Sequence, residues 1–138
     1  MKPTKTEIFQ KVKQWIKYGD EDLRLARHAL TLSSSCPTRL IAYHAQQCVE
    51  KYLKAYLVFH RIDFPYTHNI SSLLELCEKK AEWPGTISIA EELTPFAIMT
   101  RYPGEDERVT KKEALRAIDI ATQVRKVVRT ALKQEGFS

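Results

Sequence analysis

The chain has 138 residues, 43% of them apolar and 28% charged, which suits one globular domain and excludes a disordered tail or a fibrous repeat. A chain of this size buries enough surface for one core without disulfide staples. Lysine and arginine outnumber aspartate and glutamate 22 to 17, and the resulting charge of +5 favours polyanionic partners without naming one.

The opening stretch, MKPTKTEIFQKVKQW, lacks the apolar run of a signal peptide. From Thr4 to Leu32, Ile8, Val12, Trp15, Ile16, Gly19, Leu23, Ala26 and Leu30 step by three and four, the period of one helix face. Gly19 falls on that stripe and predicts close approach of a neighbouring helix. Serines 33 to 35, Cys36 and Pro37 stop the pattern, and Pro37 suits the first position of a new helix.

That second helix is expected over Pro37 to His60, with Ile41, Ala45, Cys48, Val49, Tyr52, Leu53 and Tyr56 on one arc. The opposite arc carries Tyr43, Gln47, Glu50 and Lys54 and is expected to face solvent, while His44 and Lys51 share one flank. RIDFPYTH breaks the period. Thr67 or Asn69 can cap a short helix through Lys79, whose buried side is Ile70, Leu73, Leu74 and Cys77. Trp83, Pro84 and Gly85 form a turn, and a further helix is expected to start, or bend, near Thr94 beside Pro95. RYPGEDERVT reads as a polar loop. Thr110 and Glu113 have capping-box spacing for a last helix with Ala114, Leu115, Ile118, Ala121, Val124, Val128 and Ala131 inside. Arg116, Arg125, Lys126, Arg129 and Lys133 lie on its other side.

No segment alternates with period two, so the expected fold is all-α, an antiparallel up-and-down bundle of four to five helices. It forms one domain over residues 1–138, with its core at about 9–132. Cys36, Cys48 and Cys77 are widely spaced, with no C-x-x-C pair, and read as small core residues from a reducing compartment. No run approaches the roughly 18 apolar residues of a membrane span, so a cytoplasmic protein without membrane contact is expected.

The chain has no P-loop, G-x-G-x-x-G, H-E-x-x-H, G-x-S-x-G or EF-hand loop, and its four histidines lack metal-ligand spacing. No cofactor or metal is implied. Two features stand out. One is Tyr43 to Lys54, where donors, acceptors and both charges line one helix side. The other is Thr100-Arg101-Tyr102-Pro103, pairing a guanidinium that can grip a phosphate with a ring on which a base can stack.

YHAQQCVEKYLKAYL, then THNISSLLELC, then TRYPG, in that order and spacing, resemble the HEPN domain (higher eukaryotes and prokaryotes nucleotide-binding) over about residues 9 to 132. The resemblance implies a helical bundle that dimerises. It is often encoded beside a minimal nucleotidyltransferase in a toxin–antitoxin pair. It also implies nucleotide or RNA binding, through Tyr43, Gln47, Glu50, Lys51, Lys54, Arg101 and Tyr102 here. Many members are metal-independent endoribonucleases with an R-x(4-6)-H motif, and others have lost it and act as binding partners.

Arg39-Leu-Ile-Ala-Tyr-His44 satisfies R-x4-H, although the family's motif usually sits in a later helix. On a regular helix the two side chains point about 140° apart, so convergence on one phosphate needs a dimer axis or an irregular helix start. If the pair is catalytic, His44 moves protons during attack of an RNA 2′-hydroxyl, and Arg39 or Arg101 stabilises the added charge. Plainer roles stand beside these. His44 also reads as a helix-packing histidine, and Tyr52, Tyr56 and Phe59 as core or dimer interface. Glu50 and Lys54 form a solvated i,i+4 pair in that reading, and Arg101 a helix C-cap. Three readings follow: a nucleotide- or RNA-binding partner of a nucleotidyltransferase, an endoribonuclease toxin, and a non-catalytic interaction module.

Overall fold

Thr4 opens the first helix by accepting a hydrogen bond from the Glu7 amide at 3.1 Å, and helix α1 runs over Lys5–Ala29. In this computed structural model, which describes residues 2–32, 35–97 and 108–138, α1 passes through Gly19 without a break. A β-carbon at Gly19 would lie 3.0 Å from Cδ2 of Tyr52 and 3.4 Å from the carbonyl oxygen of Cys48. The glycine lets α1 lie directly on the next helix. Gly19→Val is therefore expected to destabilise the fold by about 1–3 kcal/mol, because overpacking against a buried ring outweighs the gain in helix propensity. Chemical denaturation measures it, and an unchanged midpoint would contradict the close approach.

Helix α2 spans Thr38–Phe59, with Pro37 just outside as the N-cap. It ends in a Schellman-type turn. The Ile62 amide reaches the Leu57 carbonyl at 2.9 Å, the Arg61 amide reaches Val58, and Arg61 takes φ 56°. That left-handed conformation costs a non-glycine residue about 1–2 kcal/mol. Part of the return is the Arg61 guanidinium, which donates to the Pro3 carbonyl at 2.7 Å and ties the start of the chain to this turn.

Of the two caps proposed for the third helix, Asn69 fills the role: its Oδ1 accepts from the Ser72 amide, and α3 covers Ile70–Glu78. The next segment differs from expectation. It is a 3₁₀ helix over Gly85–Ala97, which starts nine residues before Thr94 and contains Pro95. Ile87, Ala90 and Leu93 are its buried residues, and their spacing of three matches the three residues per turn of a 3₁₀ helix. Helix α4, Lys111–Gln134, begins with the complete Thr110–Glu113 capping box and ends at Gly136, whose φ of 102° suits glycine.

Helix α1 runs antiparallel to α2 and α4. Phe9, Phe59 and Phe137 meet at one end, while Ala26, Ile41 and Ala114 pack together at the other. The 3₁₀ helix is the third leg. Trp83, just before it, packs on Tyr56 late in α2, and Glu92 within it reaches Arg116 early in α4 at 3.0 Å. The fold is an all-α up-and-down bundle whose return strut is 3₁₀, with α3 alongside α2. Helix α2 is the central element, buried on nearly every side.

Cys48 and Cys77 lie in this core and Cys36 is half-buried, all three as free thiols. Burial pushes the Cys77 thiol up to about 12 and the Cys48 thiol higher still, where the negative charges of Asp20 and Asp22 add to the effect. Thiolate, the reactive form, is then negligible at neutral pH. A disulfide reagent is expected to titrate one thiol per native chain, Cys36, and three after denaturation. Rapid reaction of all three in the native state would contradict this packing.

Candidate functional site

The side of α2 expected to face water is covered. Gln47, Glu50 and Lys54 retain only 8%, 2% and 6% exposure, and Gln46 beside them has none. Trp15 of α1 and Phe64 and Tyr66 of the following loop surround the Lys54 ammonium, with ring centroids 5.5, 5.7 and 5.8 Å away. The correction has a simple cause. Helical periodicity reports which arc is apolar, but a polar arc can also be buried when its groups satisfy one another. They do so here. Glu50 accepts from Lys54 at 3.1 Å, from Gln47 at 3.0 Å and from His68 Nδ1 at 2.8 Å, and Gln47 also donates to Gln46. The expected Glu50–Lys54 pair exists, but as a buried pair inside a network and not as a solvated one.

The neighbouring flank remains open. His44 keeps 25% of its side-chain exposure, and its Nδ1 lies 2.8 Å from Oδ1 of Asp22 on α1. Lys51, two turns further along α2, donates to the other oxygen of the same carboxylate. A carboxylate can only accept, so Nδ1 carries a proton here, and in the neutral imidazole Nε2 keeps its lone pair. Asp22 thus fixes both tautomer and ring orientation, as a carboxylate does for a general-base histidine. Tyr43 packs edge-on against the His44 ring at 5.2 Å. His44, Lys51 and Tyr43 therefore form one edge.

Arg39 lies on the same helix, exposed, in its first turn. Because α2 is helical from Thr38 onward, the irregular start that would swing Arg39 toward His44 is absent, and the two side chains diverge by about 140° within one chain. Arg101 and Tyr102 lie outside the described residues. Among the described residues, no three His, Cys, Asp or Glu side chains come together in a way that could hold a metal ion. No described helix is long and apolar enough to cross a membrane.

Sequence reading missed Asp22, Trp15, Phe64 and His68. Asp22 and His44 are 22 residues apart and belong to different helices, so no local motif joins them. The available signal was positional: at 100° per residue Asp22 sits only about 60° from the centre of the α1 apolar stripe, which is a flank that a neighbouring helix can reach.

The family model for the HEPN domain matches residues 12–131. This chain belongs to the HEPN family. It is 33% identical to the Methanocaldococcus jannaschii protein named "Putative toxin MJ1304", with 89% of each chain aligned. Two solved structures share the fold. TT1696 from Thermus thermophilus superposes with a TM-score of 0.74 at 25% identity, covering 87% of this chain and 97% of the other. ST0689, described as an archaeal HEPN homologue, gives 0.70 at 29% identity, covering 88% and 97%.

Proposed function

We propose that this HEPN protein is the toxin-like member of a pair, binding RNA or a nucleotide at the open edge of α2 and working with a minimal nucleotidyltransferase. The observation that carries the reading is the Asp22–His44 contact, which holds an imidazole at the surface with its Nε2 free, beside the cation of Lys51 and the ring of Tyr43. Family membership and the toxin name of the archaeal relative support it. Arg101 and Tyr102 extend the same site in this proposal. Gln47, Glu50 and Lys54 are engaged with one another and shape the wall behind it. The protein is a homodimer of single-domain chains, and its three free thiols suit a reducing cytoplasm.

A second reading, endoribonuclease action without a metal, is favoured by the orientation of His44. Nε2 takes the proton of an RNA 2′-hydroxyl as that oxygen attacks the adjacent phosphorus. The bond from phosphorus to the 5′-oxygen then breaks, leaving a 2′,3′-cyclic phosphate, and the leaving oxygen takes a proton from water. Arg39 of a second copy, or Arg101, balances the charge that builds on the phosphoryl oxygens.

Labelled RNA and DNA of the same sequence, incubated with the protein in EDTA, test both readings. Retention of RNA without cleavage supports the binding role. Cutting of RNA but not DNA, abolished by His44→Ala, supports the nuclease. Neither outcome would leave a helical interaction module and overturn both. The neighbouring reading frame is expected to encode a minimal nucleotidyltransferase, and co-expression with it should yield a complex; none at micromolar concentration would remove the pairing.

A further inference from the structure

A groove of about 900 Å³ runs between α1 and the C-terminal half of α4. Lys13, Lys17 and Arg24 line one wall, and Arg129 and Lys133 the other. It faces away from the His44 edge, because Asp22 and the groove-lining residues of α1 project from opposite flanks of that helix, roughly 170° apart at the groove's centre. The basic side of α4, ordinarily a solvated face, is here set opposite a second row of cations.

Two acidic residues also line the groove, Asp20 and Glu21. Asp20 is already neutralised. It accepts from Nε of Arg125 at 2.8 Å and from the Tyr52 hydroxyl, with Nη1 of Arg129 at 3.8 Å. That arrangement also fixes the guanidinium of Arg125, which is held further protonated by the Asp20 hydrogen bond. By contrast, Lys13, Lys17, Arg24 and Lys133 have no ion-pair or hydrogen-bond partner among the described residues. Glu21 on the same wall is likewise without an ion-pair partner among the described residues, but the four cations outnumber it and leave the channel with a net positive potential.

We propose that this groove is a binding track for the phosphate backbone of single-stranded RNA, separate from the His44 edge. Lys13 to Arg24 spans about 16 Å along α1, room for several consecutive phosphates of one strand. Cations four to seven residues apart on facing helices suit a ligand with a regularly repeated negative charge. One end carries the half-buried ring of Phe137, placed by the Gly136 turn through the Phe137 amide to Leu132 carbonyl bond of 2.9 Å, as a platform for a base. An acidic peptide is the rival occupant, and the rows of cations on both walls favour the regularly repeated charge of a phosphate backbone over it. The track rests on the reading that the ligand is RNA, but not on any role for His44.

The test is fluorescence anisotropy of a labelled oligouridylate of ten nucleotides, titrated between 50 and 200 mM salt. Lys13→Gln/Lys17→Gln/Lys133→Gln is expected to weaken binding at least tenfold at the lower salt. It should also reduce the slope of log affinity against log salt by about 2, since each phosphate that a lysine neutralises adds about 0.7 to that slope. Its thermal midpoint should stay near that of the wild type, since all three side chains are exposed. Lys79→Gln/Lys80→Gln, exposed beside the end of α3 and outside both the groove and the His44 edge, should keep the wild-type slope; RNA binding with an unchanged slope in the triple variant fails the track alone, whereas no RNA binding by the wild type fails the reading beneath it. An unchanged slope in the triple variant, no binding by the wild type, or tighter binding of oligoglutamate at the same lysines would each overturn the proposal.

Discussion

Glu50→Ala is expected to lower the unfolding free energy by about 3–5 kcal/mol, the cost of leaving a buried charge without its partner. Glu50 is 2% exposed and Lys54 6%, so water cannot replace the missing carboxylate without opening the layer formed by Trp15 and Phe64. The deletion also strands Gln47 and releases His68, which anchors the loop between α2 and α3. Replacing both charges, as Glu50→Met/Lys54→Met, removes the desolvation problem along with the attraction and is expected to cost far less than the single change. Urea denaturation of the two variants measures the difference. A loss below about 1 kcal/mol for Glu50→Ala, the value of an exposed pair, would mean that this face is solvated after all.

The second large effect concerns catalysis. If the protein cleaves RNA, His44→Ala is expected to lower the rate by about 10²–10⁴-fold, the usual contribution of a positioned acid or base. Asp22→Asn should lower kcat with little change in KM, because it disturbs the tautomer of His44 and touches no substrate. Arg39 supplies a sharper version of the same test. Since it diverges from His44 within one helix, a shared site must take Arg39 from one copy and His44 from the other. Mixing inactive Arg39→Ala and His44→Ala chains should then restore about a quarter of wild-type activity, as half the dimers are mixed and each carries one intact site. No recovery after subunit exchange would remove Arg39 from the site.

The helices were legible in sequence because their apolar positions repeat every three or four residues and because Thr4, Asn69 and Thr110 have side chains that cap. The 3₁₀ helix was harder to read, since Ile87, Ala90 and Leu93 at spacing three also fit part of an α pattern, and Pro95 drew attention to the wrong end. The site was legible only in part. Periodicity placed His44 and Lys51 on one flank correctly, yet it marked Glu50 and Lys54 as solvated because a polar arc resembles a wet one. What buries that arc comes from Trp15 and from the 60–69 loop, at distances in sequence that no periodic pattern spans. The paired use of Asp20 by α4 and Asp22 by α2 was invisible for the same reason: acidic residues two positions apart on α1 reach different neighbours only once the three helices are packed.

The proposed function places a phosphate-bearing ligand at the His44 edge. An NMR titration of the four histidine side chains with a short single-stranded RNA reads this directly. The ring signals of His44 should shift in a saturable way while those of His60 and His68, both turned toward carboxylates elsewhere, stay in place. Saturation of binding with the His44 signals unmoved would contradict it.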